Sequence, residues 1–149
     1  MKTPVPNMMG LDTIRLPLLT FRLGEARYAL LIEDVVEVAA MVEMLRLPTE
    51  RAEILGYINR RGSILPVVDL RMVFKQRSTP ITSSSVFIVV AGGNQQLSLV
   101  VDAVEQVEYV DALQMSDMSA SSPYLHGIIS HESEMISLIA LPSLLMLAQ

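Results

Sequence analysis

The sequence predicts a mostly β protein made of two similar halves, each a small barrel or sandwich with short helices, and three observations carry that reading. The chain repeats itself once, its apolar residues recur with the period of two expected of strands, and turn-forming residues punctuate it at close spacing. The repeat is the most informative of the three. Leu18 to Gly24 maps onto Val86 to Gly92, an offset of 68, and Leu31-Ile32-Glu33-Asp34-Val35-Val36-Glu37 maps at the same offset onto Leu99-Val100-Val101-Asp102-Ala103-Val104-Glu105. The offset then grows to 71: Leu55 to Ile58 maps onto His126 to Ile129, and Ile64 to Leu70 onto Met135 to Leu141. Blocks matching in one order with a single small insertion divide the chain into halves of about 18–77 and 86–145, joined through Ser78 to Ser85.

Each element has a local reason. Leu19, Phe21 and Leu23 alternate with Thr20 and Arg22, as in a half-buried strand. Val36, Val38, Ala40, Val42 and Met44 alternate with a set containing Glu37 and Glu43. Pro48-Thr49-Glu50 predicts a short helix with Thr49 as its N-cap. Arg61-Gly62-Ser63 predicts a hairpin turn between Tyr57-Ile58-Asn59 and Ile64-Leu65, and Asp69 can cap a helix running through Met72 and Phe74. Val86 to Val90 is continuously apolar, as in a strand buried on both faces, and Gly92-Gly93-Asn94 turns the next hairpin because glycine accepts positive φ without penalty. Pro142 opens a short apolar tail helix expected to dock on its own barrel. A half of about 60 residues makes a marginal core alone, so the halves are expected to pack together along a seam. Such seams favour binding.

Composition excludes several classes. Half the residues, 51%, are apolar and 18% charged, too apolar for a disordered chain. The net charge is −5 and the 11 Lys and Arg are scattered, with Arg60-Arg61 the single adjacent pair, which argues against gripping nucleic acid. There is no cysteine, hence no disulfide, zinc thiolate or thiol nucleophile, consistent with a reducing compartment. Gly10 and Asp12 interrupt the N-terminus before any apolar signal segment forms, and the uncharged stretches are too broken or too short to span a membrane as a helix.

Catalytic chemistry finds no support. His126 and His131 lie five apart, which on a strand puts the rings on opposite faces, so surface or turn histidines are expected rather than a metal pair. The recurring pairs Asp34-Glu37 and Asp102-Glu105 read as structural, for example capping a turn, because they recur with the halves. Gly24, Gly56 and Gly62 are too dispersed to cradle a phosphate. Met41 and Met44 would offer an adaptable apolar surface if they flanked one seam with Met115 and Met118.

The run from Gly56 to Arg71, Gly-Tyr-Ile-Asn-Arg-Arg-Gly-Ser-Ile-Leu-Pro-Val-Val-Asp-Leu-Arg, resembles the central signature of CheW-like domains, G-x-x-N-x-R-G-x-x-x-P-[VI]-[VI]-D-L-R. Tyr28 to Val38, Leu45 to Pro48 and Leu99 to Val104 resemble further family blocks, so the resemblance spans about residues 17–147. It implies two SH3-like five-stranded β-barrel subdomains and a non-catalytic, cytoplasmic chemosensory adaptor with no cofactor and no metal. The implied partners are the regulatory domain of a CheA-type histidine kinase and the cytoplasmic tip of methyl-accepting chemoreceptors, with recruitment to membrane arrays through those receptors. By position, the expected partner-binding residues are Val35, Glu37, Asn59, Arg61, Gly62 and Val101. An Arg at a hairpin tip can grip a carboxylate bidentately. Arg51 and Glu53 stand where the family often has proline and an aromatic, and Ala140 stands where it has a second capping Asp. A different class of reading, a stand-alone double barrel holding a small molecule in its apolar seam, stays open at this stage.

Overall fold

A computed structural model describes residues 3–6, 12–48, 50–117 and 121–149. Its strands are β1 (Thr3–Pro6), β2 (Asp12–Leu23), β3 (Ala26–Leu31), β4 (Val35–Ala40), β5 (Ile54–Arg60), β6 (Ser63–Asp69), β7 (Val86–Gly92), β8 (Gln95–Val101), β9 (Ala103–Asp111), β10 (Met115–Asp117), β11 (Leu125–His131) and β12 (Glu134–Ile139). Two short helices, α1 (Leu70–Val73) and α2 (Leu141–Leu147), follow β6 and β12.

The strands form two sheets, each closing on itself as a small barrel. One has the order β4-β7-β8-β6-β5. The other contains β9-β2-β3-β12-β11, extended by β1 against β2 and by β10 against β11. Under the repeat β4 corresponds to β9, β7 to β2, β8 to β3, β6 to β12 and β5 to β11, so both barrels are five-stranded with one strand order. The parallel pair β6–β8 (Val67 opposite Ser98) has its counterpart in β12–β3 (Leu138 opposite Ala29).

The sheets do not follow the halves of the sequence. The β2–β3 hairpin of the first half completes the barrel of the second, and β7–β8 of the second half completes the barrel of the first. The largest apolar cluster accordingly lies between the barrels: Phe21, Leu23 and Leu30 meet Val68, Ile88, Leu97 and Leu99, with Leu144 and Leu145 of α2 among them. Smaller clusters fill each barrel, around Leu18, Ile129 and Ile136 in one and Ile58, Val67 and Phe87 in the other. The apolar seam expected as a binding place is therefore filled by the protein's own core, because exchanged strands bring apolar faces of both halves to one junction. Phe21, Tyr28, Phe74 and Tyr124 carry an aromatic chain of contacts through it.

Several local expectations are met. Arg61 (φ 54°) and Gly62 (φ 87°) turn the β5–β6 hairpin, where positive φ at both positions matches the twist of the strands. The Asp69 carboxylate accepts from the Arg71 backbone N–H at 3.0 Å and caps α1. Leu141, Leu144, Leu145 and Leu147 of α2 are buried, docking the tail on its own barrels. Three expectations fail. No helix starts at Pro48: residues 51–53 lead directly into β5, and Thr49 lies outside the described residues. Thr20 is fully buried despite its polar hydroxyl, because β2 is covered on both faces and Thr20 Oγ1 donates to the Gln106 carbonyl at 3.0 Å. Met44 and Met115 do not share a seam. A Cβ at Gly56 would meet Met44, and one at Gly127 would meet Met115, so each packs over a glycine of a different barrel; Met118 lies outside the described residues.

Candidate functional site

The barrel made of β4 to β8 is held closed where β4 approaches the β5–β6 hairpin. Glu37 points inward from β4 and takes Arg60 on one carboxylate oxygen and Arg61 Nη2, at 3.0 Å, on the other. Asn59 Oδ1 accepts from the Gly62 N–H at 3.0 Å, a side-chain turn that fixes the hairpin tip and aims Arg61. A backbone bridge between Leu45 and Tyr57 closes the same gap further along. Arg61 is 80% exposed while Glu37 is largely covered, so one half of this clasp is presented to solvent.

Beside the clasp the surface is apolar. With Glu37 turned inward, Val36 (52% exposed), Val38, Ala40 and Val42 turn outward, the reverse of an ordinary half-buried strand. Ile64 and Leu45, both more than 60% exposed, continue the patch, and an open groove of about 380 Å³ runs between Val42, Leu45, Tyr57, Asn59 and Ile64. Neighbouring exposed apolar residues with a rim of charge mark a protein-contact surface rather than scattered surface hydrophobes.

Of the six expected site residues, Glu37, Asn59, Arg61 and Gly62 are brought together in this clasp. Val35 lies half-buried at the start of the same strand, packed against the central core. Val101 is 2% exposed within that core and offers a partner no surface. The sequence reading missed the outward valine face and Arg60, whose guanidinium also lies 5.5 Å from the centre of the Phe87 ring. The alternation of Val36, Val38 and Val42 with Glu37 carried the signal, but only the pairing of Glu37 decides which face turns in.

The second barrel closes differently. Glu108 of β9 receives Arg27, which also reaches Glu105 at 3.0 Å and Glu134 at 3.3 Å, while His131 Nε2 lies 3.2 Å from the other Glu108 oxygen. Burial works to raise the pKa values of Glu105 and Glu108, but hydrogen bonds from Arg22 and Arg27 to Glu105, and from Arg27 to Glu108, more than offset it and hold both carboxyls below their ordinary range. The repeated acidic pairs thus divide their duties. Asp102 caps a turn, accepting from the Gly24 N–H at 2.6 Å, and pairs with Arg71 at the corner before α1, while Glu37 and Glu105 form ion pairs between strands.

The model of the CheW-like domain matches residues 17–149. The chain belongs to the CheW-like family. Among similar proteins, the chemotaxis protein CheW of Klebsiella aerogenes is 29% identical over 139 residues, which is 90% of this chain and 84% of that one. The CheW of Rhizobium meliloti is 29% identical over 131 residues, 85% and 84% of the two chains. The crystal structure of the scaffolding protein TtCheW from Thermoanaerobacter tengcongensis superposes with a TM-score of 0.77 at 31% identity, covering 83% of this chain and 88% of that one. In this chain Asn59, Arg61, Asp69 and Arg71 of the signature run lie in or at the end of one barrel, where the first two shape the hairpin tip and the last two anchor α1. No described helix is long and apolar enough to cross a membrane.

Proposed function

We propose that this chain is a non-catalytic scaffold of a chemosensory system, coupling a CheA-type histidine kinase to methyl-accepting chemoreceptors at the cytoplasmic face of receptor arrays. The observation that carries this reading is the outward valine face of β4 ending at the exposed Arg61 of the Glu37 clasp. Apolar area supplies affinity and the charged tip supplies orientation and selectivity. Val107, Tyr109 and Met135 are exposed on strands of the other barrel, apolar area outside the β4 face that a second partner would use. The relatives named above are chemotaxis and scaffolding proteins by name, which supports the same role here.

Binding of the wild-type chain to a CheA-type regulatory domain and to a receptor cytoplasmic fragment, measured by calorimetry, tests the reading. Arg61→Glu is expected to weaken one of the two partnerships roughly tenfold or more, the usual scale for a charge placed against its own complement, while the circular dichroism spectrum stays unchanged. Unaltered affinity for both would remove Arg61 from the contact. A wild-type chain that binds neither partner would sink the adaptor role itself.

A further inference from the structure

The closure of the second barrel leaves a group of side chains unused by the scaffold role. Among the described residues, Glu108, His131 and Glu132 each offer a donor atom, and these atoms all lie within 4.8 Å of one another. His131 Nε2 is 3.2 Å from Glu108 Oε1 and 3.6 Å from Glu132 Oε2. The edges of a tetrahedron of nitrogen and oxygen ligands at zinc distances of about 2.0–2.1 Å are about 3.3–3.4 Å long, so the two edges from His131 match it, and the exposed Glu132 carboxylate, within 4.8 Å of Glu108, closes the third by a side-chain movement. The other oxygen of Glu108 is held by Arg27, itself 8% exposed, which fixes the carboxylate's orientation in the way an outer partner orients a metal ligand.

The charge balance favours a cation. Around this point four carboxylates, Glu105, Glu108, Glu132 and Glu134, face two guanidiniums, Arg22 and Arg27, leaving a net of −2 with the imidazole neutral. A proton on His131 Nε2 can satisfy one of its two neighbouring carboxylates at a time, whereas a divalent ion can satisfy both. In the first barrel the equivalent places are filled by Arg60 and Arg61, permanent cations that pair with Glu37 directly. The repeat has put His131 and Glu132 there instead, a change from cations to ligands.

We propose that Glu108, His131 and Glu132 bind a divalent transition-metal ion of the zinc type, clipping the β11–β12 hairpin to β9. One imidazole with two carboxylates selects such ions over magnesium and calcium, which favour all-oxygen shells. The three protein ligands leave at least one position for water.

Zinc titration of the full-length chain, by calorimetry and by thermal unfolding, tests this without any protein partner. Saturable one-to-one binding that raises the unfolding midpoint is expected, with magnesium giving neither. Glu132→Gln, at an exposed turn position that cannot cost the fold, should weaken zinc roughly tenfold or more, and His131→Asn should abolish it. His126→Asn, outside the group, should bind as the wild type does. Absent or non-saturating binding by the wild type, or binding as tight as the wild type's by Glu132→Gln or by His131→Asn, would overturn the site.

Discussion

The two strand-to-helix corners occupy equivalent places in the repeat and are built from opposite materials. At the first, Arg71, 3% exposed, bridges Asp69 at 2.9 Å and Asp102 at 3.1 Å, and also donates to Thr79 Oγ1 and the Thr79 carbonyl. Ser78 Oγ donates to Asp69 as well, so this latch ties together the α1 cap, the β8–β9 corner and the linker between halves. At the second corner Ala140 stands for Asp69 and Pro142 for Arg71. No side chain caps α2, which is held by its buried leucines instead. A buried ion cluster and an apolar plug thus solve the same problem, as expected if replacing a satisfied buried ion pair with hydrophobes costs little while breaking one costs much.

That asymmetry can be broken on purpose. Arg71→Ala leaves Asp69 and Asp102 without their cation and should cost about 3–5 kcal/mol in urea unfolding. A loss below about 1 kcal/mol would show the latch to be as dispensable as its missing twin. The hairpins make a smaller contrast. Arg61-Gly62 and Glu132-Ser133 all have positive φ, but only the first places glycine in its second position. Ser133→Gly should therefore stabilise by about 0.5–1 kcal/mol, relief of left-handed strain exceeding the entropy glycine adds to the unfolded chain. An unchanged midpoint would mean the turn carries no strain.

The smallest effect belongs to Asp34, which stands in the repeat where Asp102 meets Arg71. Burial, and then the neighbouring Glu33, push its carboxyl above the ordinary range. A raised folded-state pKa favours folding where the group is protonated, and that benefit is lost as pH rises through the folded value. Asp34→Asn should then be slightly more stable than the wild type at pH 7 and converge with it below about pH 4, the ordinary carboxylate range. A constant difference across pH would remove ionisation as the cause.

Much of the architecture was legible because the repeat is physically enforced. Gly56 and Gly127 recur because the Leu45 and Ser116 carbonyl oxygens lie 2.3 Å and 2.5 Å from where their Cβ atoms would stand. The exchange of hairpins was not legible, since a repeat aligns equivalent strands without naming their partners. The outward valines were hidden for a related reason: Glu37 turns inward only because Arg60 and Arg61 of another hairpin meet it. Val101 shared a family block with surface residues yet lies in the core, because its side chain packs into the apolar cluster between the barrels. Glu108 and His131 went unpaired in the reading because strand pairing, not local spacing, brings them together.

Hairpin exchange also governs the order in which the chain can assemble during synthesis. When the first half has emerged from the ribosome, β3 still lacks its neighbour β12; the Arg27–Glu134 contact that flanks this pairing spans 107 residues. The barrel of β4 to β8 needs no strand beyond β8, whereas the barrel that holds β2 and β3 cannot close until β11 and β12 are made, so the closing of those long loops delays it behind its neighbour.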